Sequence, residues 1–327
     1  MDDDKKNNPP VTMAQDTLPT TWVNNPYLAA ATSVNTRKAY RSDIRQFELA
    51  GGKLPATPEN IVNYLQTHAP FLNSRTLHRR IIALKHWHTY QGFPDPTTHP
   101  VVNKTMIGIA RTHGKPKKKA PPLTPNDLQH IVDVLRTQTG LAALRDIALL
   151  QIGFFGALRR SEIINIHFEH IKWEKEGIEI LLPSSKTDQR HEGQFCALPY
   201  GNNQLCPIKA LENWLSHSKI SEGPIFRRIL RNNTIGKEAL TPLSINHILI
   251  RRAKAADISH AVSFSPHSLR RGLATSAARA EASLQTIMRA GRWKHVNTVM
   301  EYIEAGERFA ENAALSVLRT LDDQKDE

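Results

Sequence analysis

From about residue 26 onward the chain alternates apolar stripes at helical spacing with short polar breaks, and four such stripes precede residue 113. Tyr40, Ile44 and Phe47 form the first, behind Asn35, a residue able to cap a helix. Thr57-Pro58 opens a second helix carrying Ile61, Tyr64 and Leu65, since proline is favoured at the first helical position. Ser74 can cap a third, closed by Gly92, with the stripe Leu77, Ile81 and Leu84. A fourth covers Val101 to Arg111. Residues 26–113 therefore read as a wholly helical domain. Residues 1–25 are polar and rich in Pro and Asn, with too little apolar content to order them, and are expected to form a disordered tail.

The pattern stops at residues 114–122, where three prolines and four lysines predict a semi-extended, basic linker. It restarts at Thr124, where Thr-x-x-Asp with Pro125 at the first helical position is a capping pattern. The second domain, 123–321, begins with Leu128, Ile131, Val132 and Leu135 on one helix and a further helix over 142–155. Residues 177–183 and 194–199 alternate as hairpin strands around a polar loop. Helices follow at about 207–217, 242–256, 266–280, 284–290 and 295–303. After a break at 304–307, Phe309, Ala313, Leu315 and Leu318 mark a last amphipathic stretch, then a charged tail from 322 to 327. The expected fold is mainly α with a small β-sheet, in two domains.

Charge narrows the class of partner. Lysine and arginine number 43 against 31 acidic residues, a net charge of +12, which points to a polyanion and so to nucleic acid. The third helix agrees: opposite its apolar stripe lie Arg75, Arg79 and His86, with His78 and Lys85 beside them. A merely solvated face would mix signs. Arg75, Arg79, Lys85 and His86, with Lys115, Lys117, Lys118 and Lys119 of the linker, are the expected contacts to double-stranded DNA.

Other classes recede. No apolar run approaches the roughly 20 residues needed to span a bilayer, and the acidic, polar opening does not read as a secretory leader. A soluble, cytoplasmic protein is expected. Cys196 and Cys206 form no Cys-x-x-Cys pair, and His86 and His88 point to different sides of their helix, so neither a zinc site nor any cofactor is expected.

The chemistry concentrates near the end. His267 and Arg270, three apart on a helix, share a face and can grip one phosphate. Tyrosine attack on a phosphodiester puts negative charge on the non-bridging oxygens, and guanidinium groups answer that need. The leaving oxygen needs a proton, which an ammonium on a loop can deliver; Lys186 lies between the two strands. Asp127, Asp146 and Glu162 are too dispersed for a two-metal site, and Glu162 fits better as the carboxylate that orients an arginine. Sequence physics leaves open whether Arg159 or Arg160, and Arg270 or Arg271, faces the substrate.

Arg159 in Gly156-Ala157-Leu158-Arg159-Arg160-Ser161-Glu162, then Lys186, His267, Arg270, Trp293 and Tyr302 follow one another in an order that resembles the tyrosine recombinases of the phage integrase family. The stretch from Ala290 to Ile303 resembles the Cre-like branch, which carries Trp where most of the family has His. Asn35 to Phe47 resembles the opening helix of the family's core-binding domain. The resemblance selects Arg159 and Arg270 as the phosphate-holding residues, Tyr302 as nucleophile and Lys186 as general acid. It makes His267 a hydrogen-bonding or proton-transfer partner and Trp293 an N–H donor. It further implies a clamp around duplex DNA, a homotetramer on paired recombination sites, and the integrase or resolvase of a mobile element. A type IB topoisomerase and a non-catalytic DNA-binding regulator are the alternatives.

Overall fold

The computed structural model describes residues 31–116, 118–183, 193–202 and 204–307, together with Tyr27, Ala314, Val317 and Leu318. The chain divides into two compact units, residues 1–118 and 119–327.

In the first unit four helices follow one another: α1 (Val34–Leu49), α2 (Pro58–His68), α3 (Ser74–Tyr90) and α4 (Pro100–His113). Capping sets their starts. Thr57 Oγ1 accepts from the Asn60 N–H while the Asn60 side chain accepts from the Thr57 N–H, closing a reciprocal box at the head of α2. Two caps fall one or two residues earlier than the sequence indicates: Ser33 rather than Asn35 heads α1, and Asn73 rather than Ser74 heads α3. Phe47, Ile61, Leu65, Leu77, Leu84 and Val102 form the core, with Phe47 edge-on to Tyr64 at 5.1 Å. Within α3, His86 faces out and His88 is fully buried, where its ring bonds the Ala56 N–H and the Leu84 carbonyl.

The second unit is built on α6 (Leu141–Phe155), buried almost all round, as expected of a helix at the centre of a domain rather than on its rim. Around it pack α5 (Pro125–Arg136), α8 (Pro207–Ser218) and α10 (Pro266–Arg279). Thr124 and Asp127 cap α5 reciprocally. The remaining helices are α7 (Arg160–Ile164), α9 (Pro242–Ala255), α11 (Leu284–Gly291) and α12 (Val296–Glu307).

Three strands, β1 (Ile171–Trp173), β2 (Gly177–Leu182) and β3 (Gln194–Pro199), form an antiparallel sheet in that order. Gly177 lies so close to the Leu198 carbonyl that no side chain fits there. The sequence reading found β2 and β3 but not β1, nor the separate hairpin of β4 (Arg227–Ile229) and β5 (Ile235–Ala239). Strands of three to five residues carry too little alternation to stand out; Asn233, in the left-handed region at φ 60°, makes the turn. A second difference concerns the end of the site. The expected break at 304–307 does not occur, and α12 continues through Gly306 to Glu307.

One approach positions the rest. The segment before α5 lies against α10, where the Leu123 N–H donates to the Ser268 carbonyl at 3.0 Å. Gly272 permits it, since any Cβ there would collide with the Leu123 carbonyl and the Phe154 ring. No described helix is long and apolar enough to cross a membrane.

Asp146, fully buried on α6, illustrates how this unit handles charge. It receives Arg145 Nη2 at 2.6 Å and Arg252 Nε at 2.8 Å, with Arg251 Nη2 at 3.3 Å. Removing a buried partner leaves uncompensated charge, at a cost of about 3–5 kcal/mol. Asp146→Asn should therefore destabilise the second unit by a few kcal/mol, read as a lowered urea midpoint for that unit's transition; an unchanged midpoint would show that the cluster contributes nothing net.

Candidate active site

Four segments bring the candidate residues together: the turn after α6, the start of α7, the first turns of α10, and the α11–α12 connection. The turn comes first. Gly156 ends α6, and a Cβ there would meet the Ile152 carbonyl, the Leu158 side chain and Cys196 Sγ, so only glycine fits. Ala157 follows at φ 44°. Both carbonyls are thereby aimed at guanidinium groups, at the helix end where the macrodipole is negative and cations are favoured. The Ala157 carbonyl accepts from Arg270 Nη1 at 2.5 Å, and that of Gly156 from Arg292 Nη2 at 2.9 Å.

Of the adjacent pair at the start of α7, the structure turns Arg159 inward and leaves Arg160 exposed. Glu162, buried, takes Arg159 Nη1 on Oε1 at 2.5 Å and the Arg159 N–H on Oε2 at 2.9 Å. The carboxylate both caps α7 and fixes the arginine. Arg292 Nη2 stands 3.5 Å from the same Oε2.

On α10, Arg270 is buried at 4% exposure and its guanidinium lies 4.2 Å from the centre of the Trp293 ring, within cation–π range. Burial pushes its pKa down to about 9, with the Arg159 charge adding to the effect; Glu162 and Tyr302 oppose it. Its Nη2 has no hydrogen-bond partner among the described residues. Arg271 points elsewhere, donating to the Ala120 carbonyl and lying 5.5 Å from the Tyr302 ring centre. His267, one turn before Arg270, is exposed on the first turn of the helix.

Trp293 sits against Gly291, where no Cβ could be accommodated, and its ring is 5.7 Å from that of Tyr302. Val299, fully buried, anchors α12, and Thr275 Oγ1 reaches the Tyr302 carbonyl at 3.4 Å, holding α12 to α10. Arg159, Glu162, Arg270, Trp293 and Tyr302 thus form one cluster. Lys186 and Lys117 lie outside the described residues. Sequence reasoning missed Arg292 and treated Arg271 only as a rival of Arg270; no spacing marks the first, and only the partner carbonyl separates the second pair.

The candidate DNA contacts are more mixed. Arg75, Lys115 and Lys118 are exposed. Arg79 pairs with the buried Asp43 at 2.8 Å and Lys85 with Asp95 at 3.8 Å, so the face of α3 is not basic throughout, contrary to the expectation from sequence. Both cations remain about half exposed; Asp43 is buried, so its pairing with Arg79 is held more firmly than an ordinary surface pair, which is worth only about 0–1 kcal/mol. His86 stacks on Tyr40 at 5.2 Å and lies near Tyr90 at 6.0 Å. Lys119 is engaged with Glu301, next to Tyr302, at 2.6 Å.

Comparison with known proteins gives the family. Residues 121–308 match the phage integrase family. The chain is 36% identical over 288 residues to an integrase/recombinase XerD homolog of Selenomonas ruminantium, covering 85% of this chain and 84% of that protein. It is 28% identical over 286 residues to the recombinase Cre of Escherichia phage P1, covering 82% and 81%. Among solved structures, XerH bound to a palindromic difH substrate superposes with a TM-score of 0.59 at 16% identity, over 86% of this chain and 78% of that one; at that identity the likeness speaks for the fold. The chain belongs to the phage integrase family and is a tyrosine recombinase.

Trp293 is the residue whose environment most directly predicts a graded response, since it covers Arg270 and packs on Tyr302. Trp293→Ala uncovers the guanidinium and should lose most of the strand-cleavage activity, whereas Trp293→His keeps an N–H donor and appreciable activity. Single-turnover cleavage of a nicked DNA substrate measures both; equal rates for wild type and the Ala variant would remove the indole from the mechanism.

Proposed function

We propose that this recombinase cuts and rejoins duplex DNA at specific sites through a 3′-phosphotyrosyl intermediate, with Arg159 and Arg270 holding the scissile phosphate. The observation that carries the reading is the buried Arg270, whose Nη2 lacks a partner beside Trp293 and Tyr302. A phosphate there supplies both an acceptor and the negative charge that restores the depressed guanidinium. Tyr302 Oη, its proton passing to water or to His267, attacks phosphorus, the bond to the 5′-oxygen breaks, and Lys186 protonates the leaving oxygen, with His267 assisting by hydrogen bonding or proton transfer. The Trp293 indole N–H donates to a non-bridging oxygen. Glu162 keeps Arg159 in place. Exchange of one phosphate ester for another conserves the bond energy, so attack by a 5′-hydroxyl from the partner duplex rejoins the strand, by way of a Holliday junction.

The first unit is read as contacting the DNA backbone through Arg75, Arg79, Lys85 and His86, and the basic connection through Lys115, Lys117 and Lys118. Solved structures of XerH with difH and of the Tn1549 transposon integrase with transposon right-end DNA support this reading, as does the net charge of +12. The role is that of an integrase or resolvase of a mobile element, working in the cytoplasm on the element's own sites. A topoisomerase of type IB would share the cleavage step but not strand exchange between two sites.

Tyr302→Phe removes the nucleophile and no phosphate contact, so it should abolish covalent adducts on a nicked suicide substrate while leaving gel-shift affinity nearly unchanged. An adduct formed by the Phe variant would overturn the assignment.

Assembly rests on the last segment. Phe309, Ala313 and Leu315 lie outside the described residues, but Val317 and Leu318 are helical and exposed, at 60% and 56%. Exposed apolar residues on a segment adjoining the nucleophile's helix suit docking onto a neighbouring subunit in a tetramer, coupling the active sites of adjacent subunits. Removal of the residues after Glu307 should preserve binding to a single site and abolish synapsis and strand exchange. Tetrameric synapses of normal size from the shortened protein, seen by sedimentation, would sink the idea.

A further inference from the structure

We infer that Arg292 is a positioning residue of this active site: it shares the Glu162 carboxylate with Arg159 and ties the Trp293 turn to the Gly156–Ala157 turn, so that both phosphate-holding arginines and the indole are set by one guanidinium. The inference rests on the phosphate-binding reading given above.

Three features of its geometry converge. Arg292 adopts φ 54°, a left-handed conformation that glycine takes without strain and arginine does not; backbone bonds close the helix end there, and the side chain adds contacts that a glycine would lack. That side chain is 8% exposed, with Nη1 donating to the Ala290 carbonyl at 3.0 Å and Nη2 to the Gly156 carbonyl at 2.9 Å. Finally, Nη2 lies 3.5 Å from Glu162 Oε2, the oxygen that also accepts the Arg159 N–H.

The consequence follows from carboxylate geometry. A lone arginine and carboxylate prefer a two-bond fork. With Oε2 already shared by Arg292 and the Arg159 backbone, Arg159 meets Glu162 through Nη1 and Oε1 alone. Its remaining donors stay available for an anion. The neighbouring carbonyls act in the same sense: Gly156 holds Arg292 and Ala157 holds Arg270, so the Trp293 turn and α10 are both tied to the α6 terminus. Three guanidinium groups around one carboxylate also leave net positive charge where phosphate oxygens gather.

The test compares wild type, Tyr302→Phe, Arg292→Gly and Arg292→Lys on a nicked suicide duplex, recording single-turnover adduct formation at saturating DNA and affinity by gel shift. Adducts in wild type and none in Tyr302→Phe establish the reading on which the inference rests; absence of adducts in wild type would defeat that reading itself. Given adducts, Arg292→Gly, which relieves the backbone, should slow cleavage by about 10- to 100-fold, as loss of an orienting partner typically does, with affinity within about threefold of wild type. Free guanidinium ion should restore part of the rate. Arg292→Lys keeps the charge without the fork and should fall between the two. A glycine variant as fast as wild type, or one whose rate loss is matched by lost affinity, overturns the inference; if that variant does not fold, a lysine variant at full rate does the same.

Discussion

Glu162 is the constraint on which the catalytic centre depends. A carboxylate at this depth is costly unless matched, and here two guanidiniums and one backbone N–H match it. The pairing has local and distant ends. Locally it caps α7 and turns Arg159, rather than Arg160, into the site. At a distance it reaches residue 292, on the other side of the fold from α7 in sequence, and so couples the turn before α7 to the connection that carries Trp293.

The same turn explains why cations gather where cations should repel. Gly156 and Ala157 present carbonyls at the negative end of α6, one to Arg292 and one to Arg270. These acceptors offset part of the mutual repulsion; burial first, and the Arg159 charge after it, still hold the pKa of Arg270 down. A folded protein that keeps such a group charged and partly unpartnered is less stable for it. Cys196 lies beneath this turn as packing, its thiol pushed up by burial and so held neutral.

Charged groups elsewhere are handled differently, which marks the site off from the scaffold. Asp146 is enclosed by Arg145 and Arg252, with Arg251 beside it. Asp43 in the first unit takes Arg79 at 2.8 Å, with Arg80 Nε at 3.8 Å, and Arg80 in turn bonds the Tyr64 hydroxyl. In both clusters a buried carboxylate is the centre on which the arginines converge. At the site, by contrast, Arg270 reaches a carbonyl instead of a carboxylate: its Nη1 donates to Ala157, and its buried Nη2 has no hydrogen-bond partner among the described residues.

Helix starts were legible in the sequence because they are local. Thr57 with Asn60 and Thr124 with Asp127 meet across three residues, and apolar stripes such as Leu77, Ile81 and Leu84 need only their own helix to be recognised. The set Arg159, His267, Arg270, Trp293 and Tyr302 came from a resemblance in residue types and order, and of its members Arg270 stacks on Trp293 and Trp293 lies beside Tyr302. Tertiary structure decided what depends on a partner far along the chain. Arg270 is distinguished from Arg271 only by the carbonyl each reaches, Ala157 against Ala120. Lys119 looked like a free linker lysine until Glu301 stood opposite it. Arg292 carries no signal of its own, since its meaning lies in Gly156 and Glu162, more than a hundred residues earlier, and only packing brings them within reach of one guanidinium.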